Sequence, residues 1–193
     1  QSDLNPISHY ARIKLASENS ILSLTNTNFN PTILRLGTVF GTSSRLRFDL
    51  VVNTFAKDAY FNNLININGG KQWRTNIHVS DVANGIIKVL QSPISSVGKK
   101  IFNLCNENKT IIDLSERVVE IFQGCKRNIK ETSYDKRNYR VSSKKISETI
   151  NYHSTISIDE GLRELKNLFE NNINENFNKK IFSNYNTLYE NHK

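Results

Sequence analysis

"ISHYARIKLASE", residues 7–18, places a tyrosine and a lysine four apart in a segment patterned for an amphipathic helix. Side chains at i and i+4 emerge from one helix face, so Tyr10 and Lys14 are neighbours if the segment is helical. Tyrosine alone is a poor base at neutral pH, because its ordinary pKa is about 10. An ammonium beside it favours the phenolate, and a cationic cofactor would favour it further. A phenol tuned in this way can take a proton from a hydroxyl while hydride leaves the same carbon. In a lysine-rich chain such a pair also arises by chance, so its surroundings must decide.

Around the pair, strand-like and helix-like stretches alternate. Residues 8–28 read as one helix, stopped at "NFNP" because Pro31 disfavours helix at the residue before it. "PTILRLGTVFG" reads as a buried strand running into a turn at Gly41, and "RFDLVVNTFAKDAYF" has helical periodicity. "LININGG" and "TNIHVSD" follow as strands, with Ser80 or Asp81 placed to cap the helix "VANGIIKVLQS". The rhythm repeats in the strand "KKIFNLC" and in the helix "TIIDLSERVVEIFQGC" with Thr110 as N-cap. "NIKET" and "NYRVS" read as strands, "SKKISETI" as a short helix, and "SIDEGLRELKNLFENN" as a helix with Ser157 and Glu160 forming a capping box. Eight of the last 23 residues are asparagine, so 171–193 reads as a tail, either a frayed helix or disordered. Such alternation argues for an α/β fold with a parallel sheet.

Composition narrows the function classes. Hydrophobic residues make up 37% of the 193, enough for a packed interior, and no apolar run approaches a membrane span. The expectation is a soluble, cytoplasmic protein with no membrane partner. Cys105 and Cys125 lack metal-ligand spacing and read as reduced, buried thiols; the four scattered histidines offer no zinc site. The net charge is +8, of which +6 falls within residues 126–145. That cluster suits a phosphate-bearing partner, either nucleic acid or a nucleotide, or else is a solvated basic face. No Gly-x-Gly-x-x-Gly or Gly-x-x-x-x-Gly-Lys loop occurs. The chain lacks methionine and meets its Tyr-Lys helix within ten residues, which leads to the expectation of a segment cut from something longer.

The ordered series "ISHYARIKLASE", "LRLGTVFG", "RLRFDLVVNTFAKDA", "ININGGKQWRTNIHVSDVANGII", "IFNLCNENKTIIDLSERV", "DKRNYRVSSKKI" and "IDEGLREL" resembles the extended short-chain dehydrogenase/reductases, the NAD-dependent nucleotide-sugar epimerases and dehydratases. The resemblance runs from about residue 4 to residue 170. It implies the C-terminal portion of a Rossmann-like parallel sheet with an interleaved small α/β substrate-binding lobe. It implies Tyr10 as acid/base and Lys14 as its partner, holding the nicotinamide ribose and lowering the phenol's pKa. Thr38 and Val39 become candidate cofactor contacts, NAD being expected and NADP remaining open. Relatives commonly carry Asn at the place of Thr38, where it touches the sugar nucleotide; this chain departs there. Asn53, Arg74 and Arg137 match substrate-binding positions, the two arginines gripping the diphosphate, a task suited to a planar guanidinium.

For the other residues the sequence leaves plainer roles. Arg140 is a further candidate for the phosphates; Lys126, Arg127, Lys144 and Lys145 read as solvated surface. Arg47 either faces the pocket or pairs near Asp49. His78 reads as packed at a strand end, Asp81 as a cap, and Trp73 as pocket wall or core. The family's glycine-rich dinucleotide loop and catalytic Ser or Thr precede the Tyr-Lys helix, so the chain alone is expected to bind NAD poorly. A homodimer through the Tyr-Lys helix is implied for the full-length protein. The alternatives are a non-catalytic sugar-nucleotide-binding relative, and a basic nucleic-acid-binding module with Tyr134 and Tyr139 interleaved among the charges.

Overall fold

Strands and helices do alternate, but the strands divide among three small sheets. The computed structural model describes residues 4–130, 137–172, 175–177 and 179–184. In chain order the elements are α1 (His9–Ser23), β1 (Ile33–Leu36), β2 (Thr38–Phe40), α2 (Val51–Asn62), β3 (Leu64–Asn68), β4 (Trp73–His78) and α3 (Val79–Leu90). Then come α4 (Ile94–Val97), β5 (Ile101–Leu104), β6 (Glu107–Thr110), α5 (Ile111–Ile121), β7 (Lys126–Lys130), α6 (Lys144–Ile150) and α7 (Ile158–Asn171), and a 3-10 turn at Lys180–Phe182. The pairs β1–β5, β2–β4 and β3–β7 are parallel, and β6 runs antiparallel to β4. This is the mixed α/β, Rossmann-like arrangement that the sequence implies.

Several local expectations hold for local reasons. Thr110 Oγ1 accepts from Asp113 N at 3.1 Å while Asp113 returns a carboxylate to Thr110 N, closing a capping box at α5. Ser157 and Glu160 do the same at α7. Ile158, Leu162, Leu165 and Phe169 of α7 fall on one face and are all buried.

Other expectations are corrected. The first helix ends at Ser23 rather than 28, because Asn26 Oδ1 accepts from Asn28 N and Phe29 N and bends the chain into an Asx turn. "PTILRLGTVFG" is two strands, not one: β1 pairs β5, and after Gly37 the chain crosses to pair β2 with β4. "NYRVS" forms no strand, and β6 and α4 have no counterpart in the sequence reading. The "NIKET" strand begins at Lys126, and its last two residues lie outside the described ones, as does Tyr134. Lys145 is not simply solvated: its Nζ donates to Ile101 O at 2.8 Å.

Two apolar clusters hold the elements together. The larger joins α2, α5, α7 and β3, and the smaller joins α3, β5 and α6 around Ile77, Phe102 and Leu104. The larger ends in an aromatic group in which Phe177 meets Phe169 edge-on at 5.1 Å and Phe182 meets Phe48 at 5.7 Å. Burying each such ring contributes roughly 1.5–3 kcal/mol. The described tail residues dock on the loop between β2 and α2, where Phe48 N donates to Phe182 O and Arg45 Nε to Ile181 O. Cys105 and Cys125 are buried free thiols, and burial pushes both above the usual thiol range. Among the described residues no helix is long and apolar enough to cross a membrane.

Candidate active site

Helix α1 starts at Ser8, whose Oγ accepts from Ala11 N, and it is tied to the body by Glu18, whose carboxylate takes two hydrogen bonds from Arg35 of β1 at 2.8 and 2.5 Å. Its apolar positions Ile13, Ile21 and Leu24 are exposed, as is Tyr10 at 71%. The spacing does what a helix requires: Lys14 Nζ stands 5.5 Å from the centre of the Tyr10 ring. The phenol and its ammonium share one surrounding.

Beneath the end of β2 lies a cleft of about 120 Å³ lined by Val39, Phe40, Gly41, Ser43, Arg47, Leu50, Asn53 and Val79. It unites two sequence candidates, Val39 and Asn53. Asn53 is buried, and its Oδ1 accepts from Gly41 N at 3.2 Å. Its amide nitrogen has no hydrogen-bond partner among the described residues, so a donor remains for a ligand. Thr38 sits opposite Asn76 in the ladder and does not line the cleft. Arg47 resolves its two readings by fulfilling both: it lines the cleft, and Nε and Nη2 bind the Asp49 carboxylate at 2.7 and 2.9 Å. That hydrogen bonding holds the guanidinium proton above the usual arginine range against desolvation, with the charges of Asp49 and of Tyr10 adding to it. The same pairing holds the Asp49 carboxyl below its ordinary value.

His78 braces the turn. Its Nδ1 accepts from Ser80 N at 3.3 Å, making His78 the N-cap of α3, and its Nε2 meets Glu164 of α7 at 2.7 Å. Thr42 donates to the same carboxylate. The cap assignment to Ser80 or Asp81 is therefore corrected. Asp81 is 1% exposed and accepts from Thr155 N and Ile156 N on the approach to α7. Gly41 has φ +107°, and a Cβ there would lie 2.2 Å from His78 Nε2. Only glycine fits.

Arg74 and Arg137 come together at the far end of β4. Arg74 is buried, and its Nη1 donates to Trp73 O and to Arg137 O. Arg140 lies over the Trp73 ring at 4.9 Å, so Trp73 is neither deep core nor bare wall but a platform for a cation. Arg74 does not line the cleft: it is three residues before Ile77, which pairs Val39, or about 10 Å along the strand. Sequence reasoning missed Asn108, Asn138 and Glu164 in this region. Arg47–Asp49 did leave a signal, opposite charges two residues apart in the chain.

Residues 1–105 match the model of the NAD dependent epimerase/dehydratase family. The fold is similar to that of UDP-glucose 4-epimerase from Thermotoga maritima, solved with UDP-glucose (TM-score 0.77, 19% identity, covering 90% of this chain and 60% of that one). It is similar to dTDP-glucose 4,6-dehydratase from Bacillus anthracis, solved with NAD (0.76, 18%, 90% and 56%), and to Pal from Bacillus thuringiensis (0.76, 21%, 88% and 55%). The chain spans little more than half the length of these structures. With a family match over more than half of its residues, the chain belongs to the NAD dependent epimerase/dehydratase family.

Proposed function

We propose that this chain carries the acid–base pair and the substrate grip of an NAD(P)-dependent epimerase or dehydratase acting on a nucleoside-diphosphate sugar. The observation that carries the reading is Lys14 standing over the face of Tyr10 on the open side of α1. Tyr10 takes the proton from a sugar hydroxyl and later returns it, and Lys14 offsets the negative charge on the phenol oxygen. Asn53 and Arg47 orient the sugar in the cleft, and Arg74 and Arg137 hold the diphosphate about 10 Å along β4.

The residues present fit one end of a dinucleotide. Tyr10 and Lys14 suit the nicotinamide ribose, with Val39 at the cleft wall, while no glycine-rich turn in the sequence cradles a pyrophosphate. When bound, the nicotinamide supplies a hydride acceptor that gives the hydride back. The exposed Ile13, Ile21 and Leu24 support pairing of two copies through α1 in the full-length protein.

Calorimetric titration tests the reading. The chain is expected to bind at least one of UDP, dTDP, GDP or CDP with affinity on the order of micromolar and NAD far more weakly, and Arg74→Ala weakens the nucleotide about tenfold or more. In a polypeptide that joins this chain to a glycine-rich dinucleotide turn, Tyr10→Phe should abolish turnover and leave nucleotide affinity unchanged. A chain that binds none of the four nucleotides, or turnover that survives Tyr10→Phe, refutes it.

A further inference from the structure

Residues 137–143 cross the outer ends of β4 and β6 without a backbone ladder to either. Side chains hold them instead. Asn108 of β6 pairs both backbone groups of Val141: its Oδ1 accepts from Val141 N at 2.9 Å and its Nδ2 donates to Val141 O at 2.9 Å. Thr75 of β4 completes the amide, its Oγ1 donating to Asn108 Oδ1 at 2.6 Å. Three residues earlier, Asn138 Oδ1 accepts from Trp73 N at 3.0 Å, and between them Arg140 stacks on Trp73. Beyond Val141, Ser143 Oγ accepts from Cys105 N at 2.7 Å and donates to Cys105 O at 2.9 Å. The first residue of this strap is Arg137, whose carbonyl receives Arg74 Nη1.

Resting on the reading of Arg74 and Arg137 as the diphosphate grip, we propose that Asn108 and Asn138 are positioning residues whose side-chain amides hang the 137–143 strap on β4 and β6, fixing Arg137 beside Arg74. An amide suits the task because it offers a donor and an acceptor in one plane, the pattern of a backbone neighbour. Arg74, Asn108 and the Trp73 backbone that Asn138 holds all fall on β4 or β6, on residues in adjacent register: Trp73 pairs Thr110, Arg74 pairs Lys109 and Thr75 pairs Asn108. The rigid ladder therefore sets the anchors' spacing, and the strap transmits it to Arg137. Without the Val141 clamp the strap keeps the Asn138–Trp73 tie on one side and Ser143 on the other but loses the hold between them, and Arg137 samples a wider arc.

The test compares each variant's affinity for the nucleoside diphosphate that the wild-type chain prefers among UDP, dTDP, GDP and CDP with its affinity for the parent nucleoside. Asn108→Ala is expected to weaken the diphosphate about tenfold while leaving the nucleoside unchanged. Asn108→Asp keeps the acceptor for Val141 N and Thr75 Oγ1 but not the donor, and should fall between. Circular dichroism checks folding; if Asn108→Ala does not fold, Asn138→Ala, an exposed residue with a single bond to lose, carries the same expectation. If Arg74→Ala erases the diphosphate's advantage over the nucleoside but the folded asparagine variants retain it, the proposal falls alone. If wild type shows no such advantage, the diphosphate reading falls and takes the proposal with it.

Discussion

Replacing Asp81 by alanine should remove a large share of the stability of this fold. The carboxylate is 1% exposed and accepts from Thr155 N at 3.1 and 3.2 Å and from Ile156 N at 3.0 Å. Nothing else in the immediate surroundings replaces those acceptors, and Asp81 also stands in the first turn of α3, where a negative charge is favoured. A backbone donor left unmet in a part-buried site costs about 1–3 kcal/mol, so two donors put the loss near 3–4 kcal/mol. With a urea slope of about 2 kcal/mol per molar, the unfolding midpoint should drop by roughly 1.5–2 M. Asp81→Asn separates this account from a helix-cap role. Asparagine caps as well as aspartate, so a cap would tolerate it, whereas here one acceptor becomes a donor facing a donor and about 1–2 kcal/mol is lost. Urea unfolding followed by circular dichroism reads both. An Asp81→Ala loss below about 1 kcal/mol, within the range of ordinary surface changes, or a neutral Asp81→Asn, would refute the reasoning.

Gly41→Ala forces a Cβ to 2.2 Å from His78 Nε2 at φ +107°, so we expect a loss of about 2 kcal/mol or more and a lower thermal midpoint; an unchanged midpoint would mean that the turn is not braced by His78. Asp58 carries a pH signature. Burial raises its carboxyl above the usual value, against the opposing help of Lys57 and Asn62. A raised folded value means that the ionised form costs stability at neutral pH, and that the cost disappears as pH falls through the carboxylate range. Asp58→Asn should therefore stabilise at pH 7, with the gain vanishing below about pH 4. Urea titrations at the two pH values check this, and an equal gain at both contradicts it.

The elements legible in the sequence are those whose causes lie within one turn of chain. The caps at Thr110 and Ser157 bond three residues onward, and the apolar face of α7 repeats at helical spacing. The left-handed asparagines at Asn63 and Asn151, which end α2 and α6, have equally local causes but were not read from the sequence. Resemblance located Tyr10, Lys14, Asn53, Arg74 and Arg137, and in the structure Lys14 meets Tyr10 while Arg74 meets Arg137. What stayed hidden was every interaction between distant segments. Asp81 was misread because its partners lie 74 and 75 residues away; His78 is packed at its strand end as read, but its Glu164 partner, 86 residues away, went unseen. "NYRVS" has the alternation of a strand, yet its neighbours offer side-chain amides instead of a free ladder.

The amino-acid order alone thus determined the alternation of helices and strands, the caps of α5 and α7, and the one-turn juxtaposition of a phenol with an ammonium. Backbone hydrogen bonding and side-chain period act over three or four residues and need no other part of the chain. Only the tertiary structure decided which strand neighbours which, that Arg47 lines the cleft while binding Asp49, and that the Asn108 and Asn138 amides tie Val141 to β6 and the chain before it to Trp73. Those arrangements depend on loop closures over 30 to 90 residues, whose outcome is set by packing of the whole and leaves no periodic mark in the chain.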